Sequence, residues 1–312
     1  MDLHLLDMSN YIYQGCYSRR RVSRGVREGD GAYIENSAPS GAIDYVCSNL
    51  RELVADKNNV VIPVFDRTPT IKRQMYYNVF CNKFGYKGTR PPKDDVIKLS
   101  KSYVEDVLRK CEFPVQAVDG YEADDIIHTL TNYYKDYYEH VYIHTRDSDL
   151  AYLVSDNVSI AKVGTQGKII NMTNFEDIAY SKHYIKYNMI TIEKLLDGDS
   201  SDNIMGIGRQ DWAHAINEQF AGTPLYKNNN LDYTREMLFE MVNKHPELPN
   251  AMQVVSLFNL LVPLDVPIDM LDDTEYNPNL DMFFNYYCNH HDKSKDIWGC
   301  EEMLLEYIDS YY

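Results

Sequence analysis

Three short apolar runs, each closing on an acid, constrain this chain more than any other feature. They are Leu3–Asp7 (LHLLD), Val60–Asp66 (VVIPVFD) and Val141–Asp147 (VYIHTRD). Runs of this length are typical of strands buried on both faces of a parallel sheet. Helical patterns lie between them. Val96, Ser100, Tyr103 and Val107 share one helix face, with Val104 and Leu108 beside them. Ile126, Ile127, Leu130, Tyr133 and Tyr134 do the same after Gly120. Strands alternating with helices predict an α/β fold, with a mostly parallel central sheet flanked by helices. Ligands of such sheets bind at the carboxyl ends of the strands, so Asp7, Asp66 and Asp147 are expected along one functional edge.

From about Asn188 the texture changes. Helical patterns (Thr191–Leu196, Asp211–Phe220, Thr234–Asn243, Met252–Leu261) follow one another without clear strands, and Gly222–Asn230 reads as a polar loop. Two regions are expected: an α/β region over 1–187 and a helical region over 188–312. The last stretch, 264–312, is acidic and tyrosine-rich and carries no motif.

Further acids stand beside the strand-end carboxylates. Glu122-Ala-Asp124-Asp125 precedes a helical pattern, Asp147-Ser-Asp149 closes a strand, and Asp199-Ser-Ser-Asp202-Asn203 separates two helical patterns. Singly, each has an ordinary role: acids that suit a helix dipole, or a polar turn with a cap. Glu122 and Asp125, three apart, share a helix face. Collectively, Asp7, Asp66, Glu122, Asp124, Asp125, Asp147, Asp149, Asp199 and Asp202 would converge on one sheet edge. Like charges at that density repel, and several would protonate unless a divalent cation neutralised them. An oxygen-only ligand set favours Mg²⁺, or Mn²⁺ in its place, over Zn²⁺. Cys288, His290, His291 and Cys300 fit no standard zinc spacing.

The net charge of −16, from 47 acids and 31 bases, argues on average against nucleic acid as a partner. Its distribution argues the other way. Arg67–Lys93 holds seven bases (Arg67, Lys72, Arg73, Lys83, Lys87, Arg90, Lys93) and no acid. Taken singly, Lys72, Arg73 and Lys83 are equally compatible with a solvated helix face. Arg19, Arg20, Arg21, Arg24 and Arg27 form a second patch, expected in a loop. Six scattered cysteines read as reduced thiols, and no apolar run approaches the ~18 residues of a membrane span. Met1–Asp7 lacks the basic start of a secretory signal. The expectation is a cytoplasmic monomer without a membrane partner. No G-x-x-x-x-G-K-[ST] loop is present, so ATP use is not expected.

The segments HLLDMSNYIY, VIPVFD, YKGTR, GYEADDIIHTL, HTRDSDLAYLVSDNVSI and LLDGDSSDNIMGIG, in this order from residue 4 to residue 208, resemble the 5′-nuclease (flap endonuclease) family. That family includes the 5′-nuclease domain of bacterial DNA polymerase I and bacteriophage 5′ nucleases. FNLLVPLD (Phe258–Asp265) resembles a helix near the family's C-terminus. The resemblance implies a PIN-like nuclease core and a structure-specific, metal-dependent nuclease of DNA. The implied activities are 5′-3′ exonuclease, flap endonuclease and RNA-primer-removing ribonuclease H. A PIN-type ribonuclease and an inactive junction-binding protein are the alternatives.

The resemblance also assigns roles. Asp7, Asp66, Glu122, Asp124 and Asp147 resemble a first metal cluster; Asp125, Asp149, Asp199 and Asp202 resemble the residues that complete a second or hold it through water. Residues 67–93 resemble a basic arch, in which Lys87 and Arg90 would hold the scissile phosphodiester and Tyr86 would stack on a terminal base. Lys72, Arg73 and Lys83 would bind the strand. Gly206 and Gly208 would belong to the turn whose N–H groups grip duplex phosphates, within a run shorter than the family's own. Implied partners are DNA with 5′ ends, nicks, flaps or RNA primers. The sequence does not choose among a single-strand-binding protein, a clamp and a polymerase as a protein partner.

Overall fold

The computed structural model describes residues 1–23, 38–75, 84–90, 95–147, 149–163, 169–171, 189–223 and 230–285. A five-stranded sheet lies at its centre, in the order β2-β1-β3-β4-β5. Its strands are β1 (Asp2–Asp7), β2 (Asn59–Val64), β3 (His140–Thr145), β4 (Val158–Lys162) and β5 (Ile169–Ile170). The first four are parallel, and β5 is antiparallel to β4. The three apolar runs are thus neighbouring strands. The chain passes from β1 to β2 on one side and then crosses back over β1 to β3. This reversal creates a crevice at the carboxyl ends of β1 and β3, where α/β sheets place their ligands.

Alternation along β1 divides the core. Leu3 and Leu5 face one layer, with Ile126, Ile127 and Leu130 of helix α5 (Ala123–Tyr134). Leu6 faces the other layer, built on α1 (Met8–Ser23), α2 (Ala38–Ala55) and α4 (Asp95–Lys110), with Cys16, Cys47 and Leu108 inside. Helix α3 (Thr70–Met75) is short. Cys16, Cys47 and Cys111 are buried and form no disulfide; Cys81, Cys288, His290, His291 and Cys300 lie outside the described residues.

A third core belongs to the later residues. It joins α6 (Met189–Asp197), α7 (Arg209–Gln219), α8 (Leu231–Lys244) and α9 (Val254–Leu261) through Leu195, Trp212, Ile216, Leu238, Leu257 and Phe258. Full burial of side chains of this size contributes roughly 1.5–3 kcal/mol each. Trp212 also places its indole N–H 2.6 Å from the Pro249 carbonyl, so its one polar atom is satisfied.

Two expectations differ. Between α6 and α7 the chain forms a small hairpin of β6 (Gly198–Asp199) and β7 (Ile204–Met205), too short to leave a periodic signal. Arg19–Arg21 continue α1 rather than opening a loop, because the helix runs on to Ser23; Arg24 and Arg27 lie outside the described residues. No helix among the described residues is long and apolar enough to cross a membrane.

Candidate active site

Asp7 is the last residue of β1, and Asp66 and Asp147 follow β2 and β3 by two residues. Glu122 and Asp124 come from the start of α5, whose N-terminus points at the same edge. These five acids line one cleft of about 960 Å³, with Lys87 and Arg90 on its wall. Local chemistry holds each in place. Asp7 accepts from Asn10 and from the Thr145 hydroxyl at 2.9 Å. Thr145 also accepts the Asp147 N–H at 3.0 Å, which ties the two strand ends together. Asp66 accepts from Ser9 and from the Ala123 N–H at 2.9 Å. Among the described residues no donor bonds the Asp124 carboxylate.

The electrostatics are those of crowded anions. Burial, reinforced by the charge of Asp66, pushes the Asp7 carboxyl up to about 7. Asp124 rises well above the carboxylate range through burial and the charges of Asp147, Asp7 and Asp66, with Lys87 opposing. Acids shifted this way ionise fully only when a cation joins them. The donors are all oxygens, which suits a hard divalent ion. As they stand, no three acidic, histidine or cysteine side chains among the described residues are drawn together tightly enough to hold an ion.

Asp149, Asp199 and Asp202 line an adjoining cavity of about 30 Å³, which Glu122 and Asp124 also border. Here the protein supplies its own cations. Lys194 lies between Asp149 and Asp199, 2.5 Å from one and 2.6 Å from the other. Arg90 pairs with Asp202 and donates through Nε to the Ser201 carbonyl at 2.9 Å. Lys87 pairs with Glu122 and lies 3.7 Å from Asp202. Burial pulls the Lys87 ammonium down, but Glu122 and Asp202 outweigh it and hold the group above its ordinary value.

The Gly85–Arg90 segment is clamped onto the β6–β7 turn. The Lys87 N–H donates to the Asp202 carbonyl at 2.9 Å, and Asn203 Nδ2 donates to the Gly85 carbonyl at 2.6 Å. Lys87 and Asn203 both hold left-handed backbone, at φ 55° and 63°. Such conformations cost energy in non-glycine residues and persist where surrounding bonds fix them.

Several predicted site residues have other employment. Asp125 does not join the carboxylate cleft. One of its oxygens accepts the Glu122 N–H at 3.0 Å in a capping box, and the other accepts the Leu264 N–H at 2.6 Å. Lys72 is not on an exposed basic face. It is 5% exposed and lies 3.1 Å from Asp125, as that buried carboxylate's counter-ion. Tyr86 does not offer a free ring for stacking. It is 6% exposed within the third core, with its hydroxyl 2.8 Å from Glu122 and 3.1 Å from Asp202. Gly208, at φ 105°, spends its N–H on the Leu196 carbonyl at 3.0 Å, which leaves none for a phosphate. Gly206 is needed for packing: a Cβ there would lie 2.3 Å from the Leu196 carbonyl oxygen. Arg73 falls on α3, and Lys83 lies outside the described residues.

The sequence reading missed Lys194 and the hydroxyl and amide donors Ser9, Asn10 and Thr145. Lys194 lies five residues before Asp199, with no spacing rule to connect the two. Ser9 and Asn10 follow Asp7 directly, so only their position beside a strand-end acid could have marked them.

A parallel sheet with carboxylates at its switch point and basic side chains across the cleft defines a class of α/β protein. Within it, residues 2–184 match the family model of the 5′-3′ exonuclease, N-terminal resolvase-like domain, and the chain belongs to that family. It is similar to DNA polymerase I of Caldicellulosiruptor bescii, 27% identical over 282 residues, which cover 89% of this chain and 31% of the polymerase. It is similar also to a 5′-3′ exonuclease of Aquifex aeolicus, 26% identical over 66% of this chain and 64% of the relative. The chain therefore spans less than two thirds of each of these relatives. Among solved structures, the T5 D15 protein co-crystallised with metal ions shares the fold, with a TM-score of 0.52 and 17% identity. That match covers 96% of this chain and 100% of the other.

Proposed function

We propose that this protein is a structure-specific, divalent-metal-dependent 5′ nuclease that hydrolyses phosphodiesters of DNA at 5′ ends, nicks, flaps or RNA primers. The observation that carries the reading is the single cleft in which Asp7, Asp66, Glu122, Asp124 and Asp147 face Lys87 and Arg90. Anions to hold metal and cations to hold phosphate are what such hydrolysis needs in one place. The names of the similar proteins, a 5′-3′ exonuclease and a DNA polymerase I, and the metal ions crystallised with the D15 protein support it.

The five cleft acids would hold one Mg²⁺, and Asp149, Asp199 and Asp202 would complete a second site; Mn²⁺ would substitute. Held there, divalent ions would supply Lewis-acid charge for activating water and for the phosphate's developing negative charge. The chain's own side chains do the rest. Lys87 and Arg90 neutralise the phosphate under attack and orient it. Thr145 and Asn10 fix the oxygens of Asp7, and Ser9 and the Ala123 N–H fix those of Asp66. The products are a 5′-phosphate and a 3′-hydroxyl. The helical region after residue 188 would grip the duplex behind the cut.

End-labelled nicked, flapped and RNA-primed duplexes incubated with Mg²⁺ test the reading. The expected products are 5′-phosphorylated fragments cut at or next to the junction. Cleavage confined to free RNA would replace it with a PIN-type ribonuclease. Binding without cleavage would replace it with an inactive junction binder.

A further inference from the structure

The acids of the cleft and the cations across it are carried by different parts of the chain. Asp7, Asp66 and Asp147 stand at or just beyond strand ends of the central sheet, whereas Lys87 and Arg90 stand on the segment that begins at Gly85. That segment is fastened to the β6–β7 turn. Asn203 Nδ2 donates to the Gly85 carbonyl at 2.6 Å, the Lys87 N–H donates to the Asp202 carbonyl at 2.9 Å, and Arg90 Nε donates to the Ser201 carbonyl at 2.9 Å. The Gly85 carbonyl also accepts the Gly88 N–H at 3.1 Å, which closes a tight turn around Tyr86 and Lys87. Gly88 leaves the room this turn requires: a Cβ there would lie 1.7 Å from the Phe84 carbonyl oxygen. Within the turn Lys87 is left-handed, at φ 55°, a conformation that a lysine rarely adopts. The direction in which its side chain departs therefore depends on what holds the Gly85 carbonyl.

The Asn203 amide is the bond here that a substitution can remove without touching Lys87 or Arg90. Asn203 is 7% exposed and is itself left-handed, at φ 63°, which asparagine tolerates better than most residues. The turn that carries it is firm. Asp199 Oδ1 accepts the Ser201 N–H at 2.8 Å and the Asp202 N–H at 3.2 Å. Ile204 is buried in the third core, and the Ile207 N–H donates to the Leu195 carbonyl of α6 at 2.9 Å. A buried amide on a fixed turn can hold a neighbouring segment in one geometry.

We propose that Asn203 is a positioning residue for Lys87. By holding the Gly85 carbonyl it keeps the Lys87 backbone left-handed and places the ammonium between the two acid groups, paired with Glu122 and 3.7 Å from Asp202. From there Lys87 borders both cavities. The inference rests on the nuclease reading above for what Lys87 does, while where Lys87 stands has a measurement of its own.

The test begins with Asn203→Gly, which removes the amide and leaves the left-handed backbone accessible. On DNA already bound, the single-turnover rate should fall about tenfold, the weight of one buried hydrogen bond in an equilibrium. In a Lys87→Ala background the same substitution should cost less than about twofold, because residues that act through one group are not additive. A merely structural residue would cost the same in both backgrounds. Losses that multiply in the double variant, or a wild-type rate in Asn203→Gly, overturn the proposal. The second measurement needs no substrate. Acetylation of Lys87 by acetic anhydride, read by mass spectrometry against the exposed Lys57, should rise about tenfold in Asn203→Gly. Unchanged acetylation overturns the proposal as well. Asn203→Asp keeps the size and the turn preference but sets an acceptor against the Gly85 carbonyl, so it should reproduce each result. It carries the test if Asn203→Gly does not fold; if neither variant folds, Asn203 is a structural residue and the proposal falls. A wild type that cleaves no DNA removes the nuclease reading alone, and the acetylation then decides whether Asn203 places Lys87.

Discussion

The two acid groups at the sheet edge differ in how their charge is met. Asp7, Asp66 and Asp124 sit on strand ends and a helix start, fixed by hydroxyls and amides where they are bonded at all. Those donors orient the oxygens without neutralising them. Asp149, Asp199 and Asp202, beside the helical region, are met by Lys194 and Arg90, while Lys87 stands between the two groups, paired with Glu122 and 3.7 Å from Asp202. The oxygens of Asp7 and Asp66 are oriented by neutral donors, whereas Asp149, Asp199 and Asp202 are each paired with a lysine or arginine.

The largest effect should come from removing metal altogether. Excess EDTA should abolish cleavage, and persistent cleavage would sink the division between the two halves together with the mechanism. Next in size is Asp124→Asn, which keeps the side chain's shape and removes one charge from the carboxylate cleft. Cleavage of bound DNA should fall at least ~10²-fold in single turnover, because less transition-state charge is then stabilised. DNA binding should survive or tighten, since a repulsive charge near phosphate is gone. Near-normal turnover would place the metal elsewhere.

Lys87→Ala addresses the contact between the halves. It should lower the single-turnover rate on bound substrate by roughly 10²-fold, as expected for loss of one preorganised group that stabilises transition-state charge. Normal turnover on bound DNA with weakened affinity would make Lys87 a gripping residue instead.

A smaller effect concerns the metal-free protein. The folded Asp7 carboxyl, at about 7, binds its proton more tightly than an ordinary carboxylate near 3.8. Between these values the folded state holds a proton that the unfolded chain has released. The contribution to stability is full below the ordinary carboxylate value and is lost as pH rises through about 7. In EDTA the melting temperature should therefore decline from pH 5 to pH 8, and Asp7→Asn should flatten that decline. An identical pH profile for the variant would show that Asp7 is not the group responsible.

The smallest effect is expected from Thr145→Val, which leaves Asp7 and the Asp147 N–H each short of one partner. A loss of about 1–3 kcal/mol in stability follows from the buried groups left unpaired. Denaturant unfolding in EDTA would measure it, and an unchanged midpoint would mean that the two strand ends are held by other contacts.

Much of this molecule is written locally. The three apolar runs specify buried parallel strands because they lack polar alternation, and each acid at or just beyond a strand's end must emerge at the carboxyl edge of the sheet. The helices over 95–110 and 123–134 follow from spacing alone. What spacing could not determine is which way a side chain turns when its neighbours in the chain point elsewhere. Asp124 and Asp125 are adjacent in sequence and alike in chemistry. One faces the cleft, while the other is buried between Lys72 and the Leu264 N–H. That choice depends on residue 264, some 139 positions away. Tyr86 is likewise taken into the third core because the β6–β7 turn folds back on it. Lys194 becomes a counter-ion because α6 brings it between two acids from separate elements. Local sequence determines strands, helices and the positions of acids along them, since those depend on neighbouring residues. Which charges are paired, and which are left for a ligand, is decided by contacts between distant segments, and these exist only once the chain has packed.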